Sequence, residues 1–191
     1  LSLGAASFAG VFYSSVTVAW TPLAAAPQKD TAEAYLLEAA TTQAFTQVLF
    51  SSATNVASVD RLTLTGLAPN TSYYFRAGSV NWDGAAKYSV TPATATLANS
   101  PTQTDFTLTP HSITPVWLTN SNPADTVYKA EIDTDLGFGS IFDSSDTVLS
   151  SATFSGLNPN TTYYTRVTAV NRFNRASPTV IFSPMATGAY Y

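Results

Sequence analysis

Apolar and polar residues alternate along much of this chain. In Ser72 to Asn81, the residues Tyr73, Phe75 and Ala77 fall on one face and Tyr74, Arg76 and Gly78 on the other. That alternation predicts a half-buried β-strand. Thr162 to Asn171 repeats it, with Tyr163, Thr165, Val167 and Ala169 opposite Tyr164, Arg166 and Thr168. Shorter runs predict strands at Ala5–Phe12, Ser15–Thr21, Ala44–Phe50, Asp60–Thr65 and Lys87–Leu97 in the first half. In the second half they predict Asp105–Thr109, Ser112–Leu118, Thr126–Asp133, Ser140–Phe142, Val148–Ser155 and Thr179–Ser183. Ala32–Ala40 has a helical composition, but Tyr35, Leu37 and Ala39 alternate, so it is read as a strand. Pro22–Thr31 reads as a long loop, and Asp83-Gly84 as a turn.

The two longest strands belong to a longer repeat. Gly66-Leu67-Ala68-Pro69-Asn70-Thr71-Ser72-Tyr73-Tyr74-Phe75-Arg76 lies 90 residues before Gly156-Leu157-Asn158-Pro159-Asn160-Thr161-Thr162-Tyr163-Tyr164-Thr165-Arg166. Both copies continue to a Val-Asn pair, Val80-Asn81 and Val170-Asn171. A repeat of that length is a domain and not a solenoid unit. Pro69 and Pro159 suit a corner, because proline lacks a backbone donor and fixes φ. Asn70 and Asn160 suit the turn that follows. The first Tyr of each pair, Tyr73 or Tyr163, can bury its ring and return its hydroxyl to the corner backbone, as in the tyrosine corner of Greek-key sandwiches.

The pattern Leu-x-Pro-x-Thr-x-Tyr, followed by Arg and then Val-Asn, resembles the E–F corner and F strand of fibronectin type III modules. Each copy also has an upstream Trp, Trp20 or Trp117, where the family carries a core Trp on strand B. Tyr35 and Tyr128 match an inward Tyr on strand C. The resemblance covers essentially the whole chain. It implies an all-β fold of two tandem seven-stranded immunoglobulin-like Greek-key sandwiches, at residues 1–97 and 102–191. Residues 98–101 would be a short linker stiffened by Pro101. Two departures stand out: Pro115 inside the second strand B, which argues against regular pairing there, and a longer Trp-to-corner segment in the first copy.

Length agrees, since 191 residues accommodate two domains of about 95. Charged residues make up 10% of the chain, against about 25% in ordinary soluble domains. Ser, Thr and Ala take their places, which points to a surface that is itself covered. The net charge of −4 argues against a nucleic-acid partner. No apolar run is long enough to span a bilayer. With no Cys, the chain has no disulfide and is indifferent to redox compartment. Leu1–Gly10 lacks the basic start and apolar core of a signal peptide and is read as a lead-in plus strand A.

Candidate chemistry is sparse. His111 is the single His and is read as structural or solvated, so no catalytic residue is assigned. Glu33 and Glu38 lack the cleft that glycoside hydrolysis needs. Asp133, Asp135, Asp143 and Asp146 gather near one hairpin end and offer oxygen ligands for Ca²⁺. Gly137 breaks the EF-hand spacing, and the group is read as solvated, with no metal and no cofactor assigned. Asn70 and Asn160 begin glycosylation sequons that turn chemistry already explains. The F–G loops are the expected contact surface, with Trp82 and Asp83 in the first and Arg172, Phe173 and Arg175 in the second.

The chain therefore reads as a non-catalytic binding or spacer module of a larger bacterial cell-surface or secreted protein, meeting a protein or glycan surface. A rival reading is a self-assembling fibre subunit, joined through Leu1, Leu3, Phe8 and Phe12 at one end and Tyr190 and Tyr191 at the other. A third is an accessory module of a polysaccharide-degrading enzyme. Repeated charges also predict cross-strand pairs Glu38–Arg76 and Glu131–Arg166 on the sheet surface.

Overall fold

The computed structural model describes residues 2–24 and 30–189. The chain divides into two compact units, Leu1–Thr96 and Leu97–Tyr191. Unit 1 contains β1 (Ser7–Val11), β2 (Ser15–Ala19), β3 (Ala34–Ala40), β4 (Phe50–Thr54), β5 (Arg61–Thr65), β6 (Ser72–Val80), β7 (Ala86–Val90) and β8 (Thr94–Ala95). One sheet has the order β1-β2-β5; the other runs β4-β3-β6-β7, with β8 also paired to β6. These correspond to strands A-B-E and C′-C-F-G of a seven-stranded Greek-key sandwich.

Unit 2 repeats the plan. Its strands are β9 (Thr102–Leu108), β10 (Ser112–Leu118), β11 (Val127–Asp133), β12 (Asp143–Thr147), β13 (Phe154–Ser155), β14 (Thr162–Val170), β15 (Val180–Ile181) and β16 (Met185–Ala186). Its sheets are β13-β10-β9 and β12-β11-β14-β15, with β16 on β14.

Each core forms where the inward faces of the two sheets meet. Val16, Val18 and Leu64 meet Tyr35, Leu37, Tyr73 and Phe75 in unit 1. Ile113, Trp117 and Phe154 meet Tyr128, Ile132, Tyr163 and Val167 in unit 2. Trp20 packs 5.5 Å from Tyr35, and Trp117 5.7 Å from Tyr128, centroid to centroid.

The corner has the same construction twice. Asn70 and Asn160 adopt φ of 42° and 50°, a left-handed conformation that Asn tolerates. Asn70 is buried and Asn160 exposed. The Tyr73 hydroxyl accepts the Ala68 N–H at 3.1 Å, and the Tyr163 hydroxyl accepts the Asn158 N–H at 3.0 Å. A buried threonine just after the last strand completes each corner. Thr96 Oγ1 donates to Ala68 O at 2.6 Å and accepts from Thr71 N. Thr187 Oγ1 donates to Asn158 O at 2.7 Å and accepts from Thr161 N.

Four elements differ from the sequence reading. Strand C′ begins later, at Phe50 and Asp143 rather than Ala44 and Ser140. The apolar residues before it form a turn, in which Phe45 and Phe138 have φ of 50° and 51°. Strand G is not continuous; Pro92 and Pro184 separate β7 from β8 and β15 from β16, where a ladder donor is missing.

Strand E of unit 2 shrinks to β13 and an isolated Val116–Ser151 bridge. Pro115 explains this. Trp117 N–H points to that side and donates to Ser150 O at 2.9 Å. N–H groups alternate sides along a strand, so the donor Pro115 lacks would face the same neighbour. On its other side Pro115 still pairs with Phe106 of β9, and the register of that pairing shifts between Val116 and Trp117.

The fourth difference is the expected linker. Ala98 is wholly buried in the core of unit 2. Asn99 N–H donates to Asn122 Oδ1 at 2.7 Å, Asn122 Nδ2 donates to Asn99 O at 2.8 Å, and Ser100 Oγ donates to Pro178 O at 3.0 Å. Residues 98–101 are thus part of unit 2. Leu3, expected at an assembly end, is buried in the core of unit 1, and Phe8 packs against that core, 5.5 Å from Phe75. Leu1, Tyr190 and Tyr191 lie outside the described residues.

Candidate functional site: the F–G loops and the sheet face beneath them

Each F–G loop is built by the Asn of the repeated Val-Asn pair. Asn81 Oδ1 accepts the N–H groups of Asp83 at 3.1 Å and Ala85 at 2.8 Å. Asn171 Oδ1 accepts those of Phe173 at 3.0 Å and Arg175 at 2.8 Å. The fourth turn position has left-handed φ in both loops, 76° at Gly84 and 57° at Asn174. A side chain that holds two backbone donors fixes the turn, so the residues at its tip are displayed on a defined frame. The sequence shows the repeated Asn, and only the hydrogen bonds reveal its task.

The two tips carry different chemistry. Trp82 is 67% exposed, and Asp83 beside it is exposed too. In unit 2, Arg172 Nη2 donates to both carboxylate oxygens of Asp125 at 2.7 and 2.9 Å, so this cation is already matched. Phe173 is 46% exposed, and Arg175 is exposed. The loops place Trp82 with Asp83, and Arg172 with Phe173 and Arg175, as two separate tips.

Below the loops lies the outward face of the C–F–G sheet. Arg76 Nε donates to Glu38 Oε2 at 2.6 Å, and Arg166 Nε to Glu131 Oε2 at 2.6 Å. The expected surface pairs form, but they are largely sheltered: side-chain exposures are 24% and 13% in unit 1, and 30% and 11% in unit 2. The shelter comes from aromatic rings. The Arg76 guanidinium lies 4.4 Å from the Phe45 ring centroid and 3.9 Å from that of Tyr88, and Arg166 lies 4.4 Å from Phe138. This is what the apolar residues of the C–C′ turn do in place of a strand.

Gly78 admits the Tyr88 ring, since a Cβ there would stand 2.9 Å from Tyr88 Cδ1. Burial, with Glu38 nearby, holds the Tyr88 hydroxyl above its ordinary pKa. Burial also pushes Glu131 upward, but its hydrogen bonds to Arg166 and Lys129 outweigh that and hold it below the ordinary carboxylate value.

The other candidates are placed as follows. His111 Nδ1 lies 3.0 Å from Leu157 O at the corner, a structural position. Of the acidic group expected in solvent, Asp133 is instead buried. Its Oδ1 accepts the Thr134 N–H at 2.7 Å. Among the described residues, no three His, Asp or Glu side chains converge on one point. Among them, too, no helix is long and apolar enough to cross a membrane.

No protein-family model and no curated protein matches the chain. Solved structures do. A two-domain fibronectin type III segment of chicken tenascin covers 97% of this chain and 99% of its own, with a TM-score of 0.63 at 14% identity. The FN1–FN3 domains of chicken CNTN1 cover 98% of this chain and 67% of their own, with a TM-score of 0.43 at 16% identity. The first of these likenesses, with the strand order above, defines the class: the chain has the fold of a tandem pair of fibronectin type III domains.

Proposed function

We propose that the chain is a non-catalytic binding and spacer module of a larger extracellular or cell-surface protein, and that the F–G loop of unit 1 makes its contact. The exposure of Trp82 on a turn fixed by Asn81 carries this reading. A large aromatic ring held in water on a preformed frame is the kind of residue that anchors protein interfaces. Pre-organisation lowers the ordering cost of binding. A protein surface is the favoured partner, because Asp83 adds a charge beside the ring that can select a cationic neighbour.

The test probes arrays of extracellular proteins and of glycans with the full chain and with Trp82→Ala. Binding to a protein that falls by about tenfold or more in the variant supports the reading. A glycan hit lost in the variant would move the partner to carbohydrate, and undiminished binding would move the contact off this loop. The fibre reading has less to stand on. The edge strand β1 carries no charge, but its register shifts between Phe8 and Gly10, and such bulges blunt an edge against further pairing. Sedimentation of the full chain at high concentration is expected to show a monomer; a concentration-dependent polymer would restore the fibre.

A further inference from the structure

The two C–C′ turns share one backbone plan and differ in chemistry. In unit 1, Phe45 N–H donates to Thr42 O at 3.2 Å. In unit 2, Phe138 N–H donates to Asp135 O at 3.0 Å. Both Phe residues are left-handed, and both rings meet the Arg of strand F. Matched on these features, Asp133 occupies the place of Ala40, and Asp135 that of Thr42. Ala40 is wholly buried, and Asp133 is only 4% exposed.

The buried carboxylate at Asp133 is therefore not needed to build the turn, since Ala40 serves in the same position. It is also unfavourable there. Its Oδ1 accepts from Thr134 and Asp135 N–H at 2.7 and 3.4 Å, but its Oδ2 is buried with no hydrogen-bond partner. A buried carboxylate oxygen left unpaired destabilises the fold. An unsatisfied group of this kind calls for a reason, and a bound ion is one.

We propose that the C–C′ turn of unit 2 binds Ca²⁺ through the carboxylates of Asp133 and Asp135. The bond from Asp135 N–H to Asp133 Oδ1 lays the first carboxylate along the turn that carries the second. Asp135 Oδ1 accepts the Gly137 N–H at 3.2 Å, and Cβ atoms at 137 and 139 would lie 3.1 and 3.7 Å from Asp135 Oδ2. Glycine at both places leaves that oxygen open on the turn. Glu131 takes no part, being held by Arg166 and Lys129. Two carboxylates, completed by backbone carbonyls and water, form an all-oxygen set that suits Ca²⁺, which accepts irregular geometry, better than Mg²⁺, which demands an octahedron. So few charges predict a dissociation constant of about 10⁻⁴–10⁻³ M, the range of extracellular calcium modules.

The test is a CaCl₂ titration of the full chain followed by amide NMR shifts. Saturable shifts are expected at residues 133–139 and not at the matching turn 40–45. MgCl₂ is expected to bind at least about tenfold more weakly. Asp133→Ala introduces the residue that unit 1 already tolerates, and it is expected to fold and to lose the shifts. Should it not fold, Asp135→Thr, again the unit 1 residue, takes its place with the same expectation. Absence of saturable shifts at the turn up to about 20 mM Ca²⁺, equal shifts at turn 40–45, or unchanged affinity in the folded variant would overturn the site.

Discussion

At the scale of single residues, two hydroxyls more than twenty residues apart in sequence converge on one corner in each unit. Tyr73 and Thr96 in unit 1, and Tyr163 and Thr187 in unit 2, fasten backbone groups that the Pro-Asn turn leaves without ladder partners. Such a bond contributes about 1 kcal/mol net. Tyr163→Phe keeps the ring in its packed site and removes only the acceptor for Asn158 N–H. Chemical denaturation is therefore expected to show unit 2 less stable by about 1 kcal/mol, with unit 1 unchanged. Tyr73→Phe should give the mirror result. A loss several times larger would mean that the ring itself had moved.

At the scale of elements, the adjacent strands β11 and β14 place Glu131 opposite Arg166, and the C–C′ turn shields the pair with Phe138. Breaking a pair this sheltered leaves a cation unmatched. Glu131→Gln is expected to cost about 2 kcal/mol at neutral pH, between the values for exposed and buried pairs.

The carboxyl's folded-state pKa is lowered, so its stabilisation is fully present above the ordinary Glu value and is lost as pH falls through the folded one. Between about pH 5 and pH 3 the native chain should lose stability faster than Glu131→Gln, and the two curves should converge in acid. Denaturation followed through NMR signals of unit 2 in the full chain gives both curves. Parallel curves would show that the pair is not linked to folding.

At the scale of the whole molecule, the boundary between the units falls at Thr96–Leu97, ahead of Pro101. Ala98 fills the core of unit 2 and Asn99 bonds its B–C loop. A fragment of residues 97–191 is therefore expected to fold as unit 2 does in the full chain. A fragment of residues 102–191 loses the buried Ala98 side chain, three hydrogen bonds made by Asn99 and two made by Ser100. It should be less stable by roughly 3 kcal/mol or more, counting about 1 kcal/mol for each bond of Asn99 alone. Thermal unfolding of the two fragments compares them, and equal midpoints would return residues 98–101 to the role of a linker.

Strand alternation, the Pro-Asn corner and the inward Tyr73 and Tyr163 were determined by the sequence, because each depends on residues close together along the chain; the core places of Trp20, Trp117, Tyr35 and Tyr128 came from the resemblance. A period of two places Tyr73 and Phe75 on one face whatever surrounds them. The pairs Glu38–Arg76 and Glu131–Arg166 were legible for a related reason: the resemblance supplied which strands are neighbours, and alternation supplied the face. What the tertiary structure decided depends on partners distant in sequence. Phe45 looks like a strand residue until the arginine it stacks on is in view, and nothing along the chain marks Phe138 as the cover of Arg166. The short strand E of unit 2 follows from which neighbour Pro115 faces, and a linear reading does not contain that direction. Asn99 reads as linker because its partners Asn120 and Asn122 lie more than twenty residues away, and Ala98 because the core it joins is assembled from later strands. Asp133 reads as solvated because burial belongs to the assembled sheets and not to the residue.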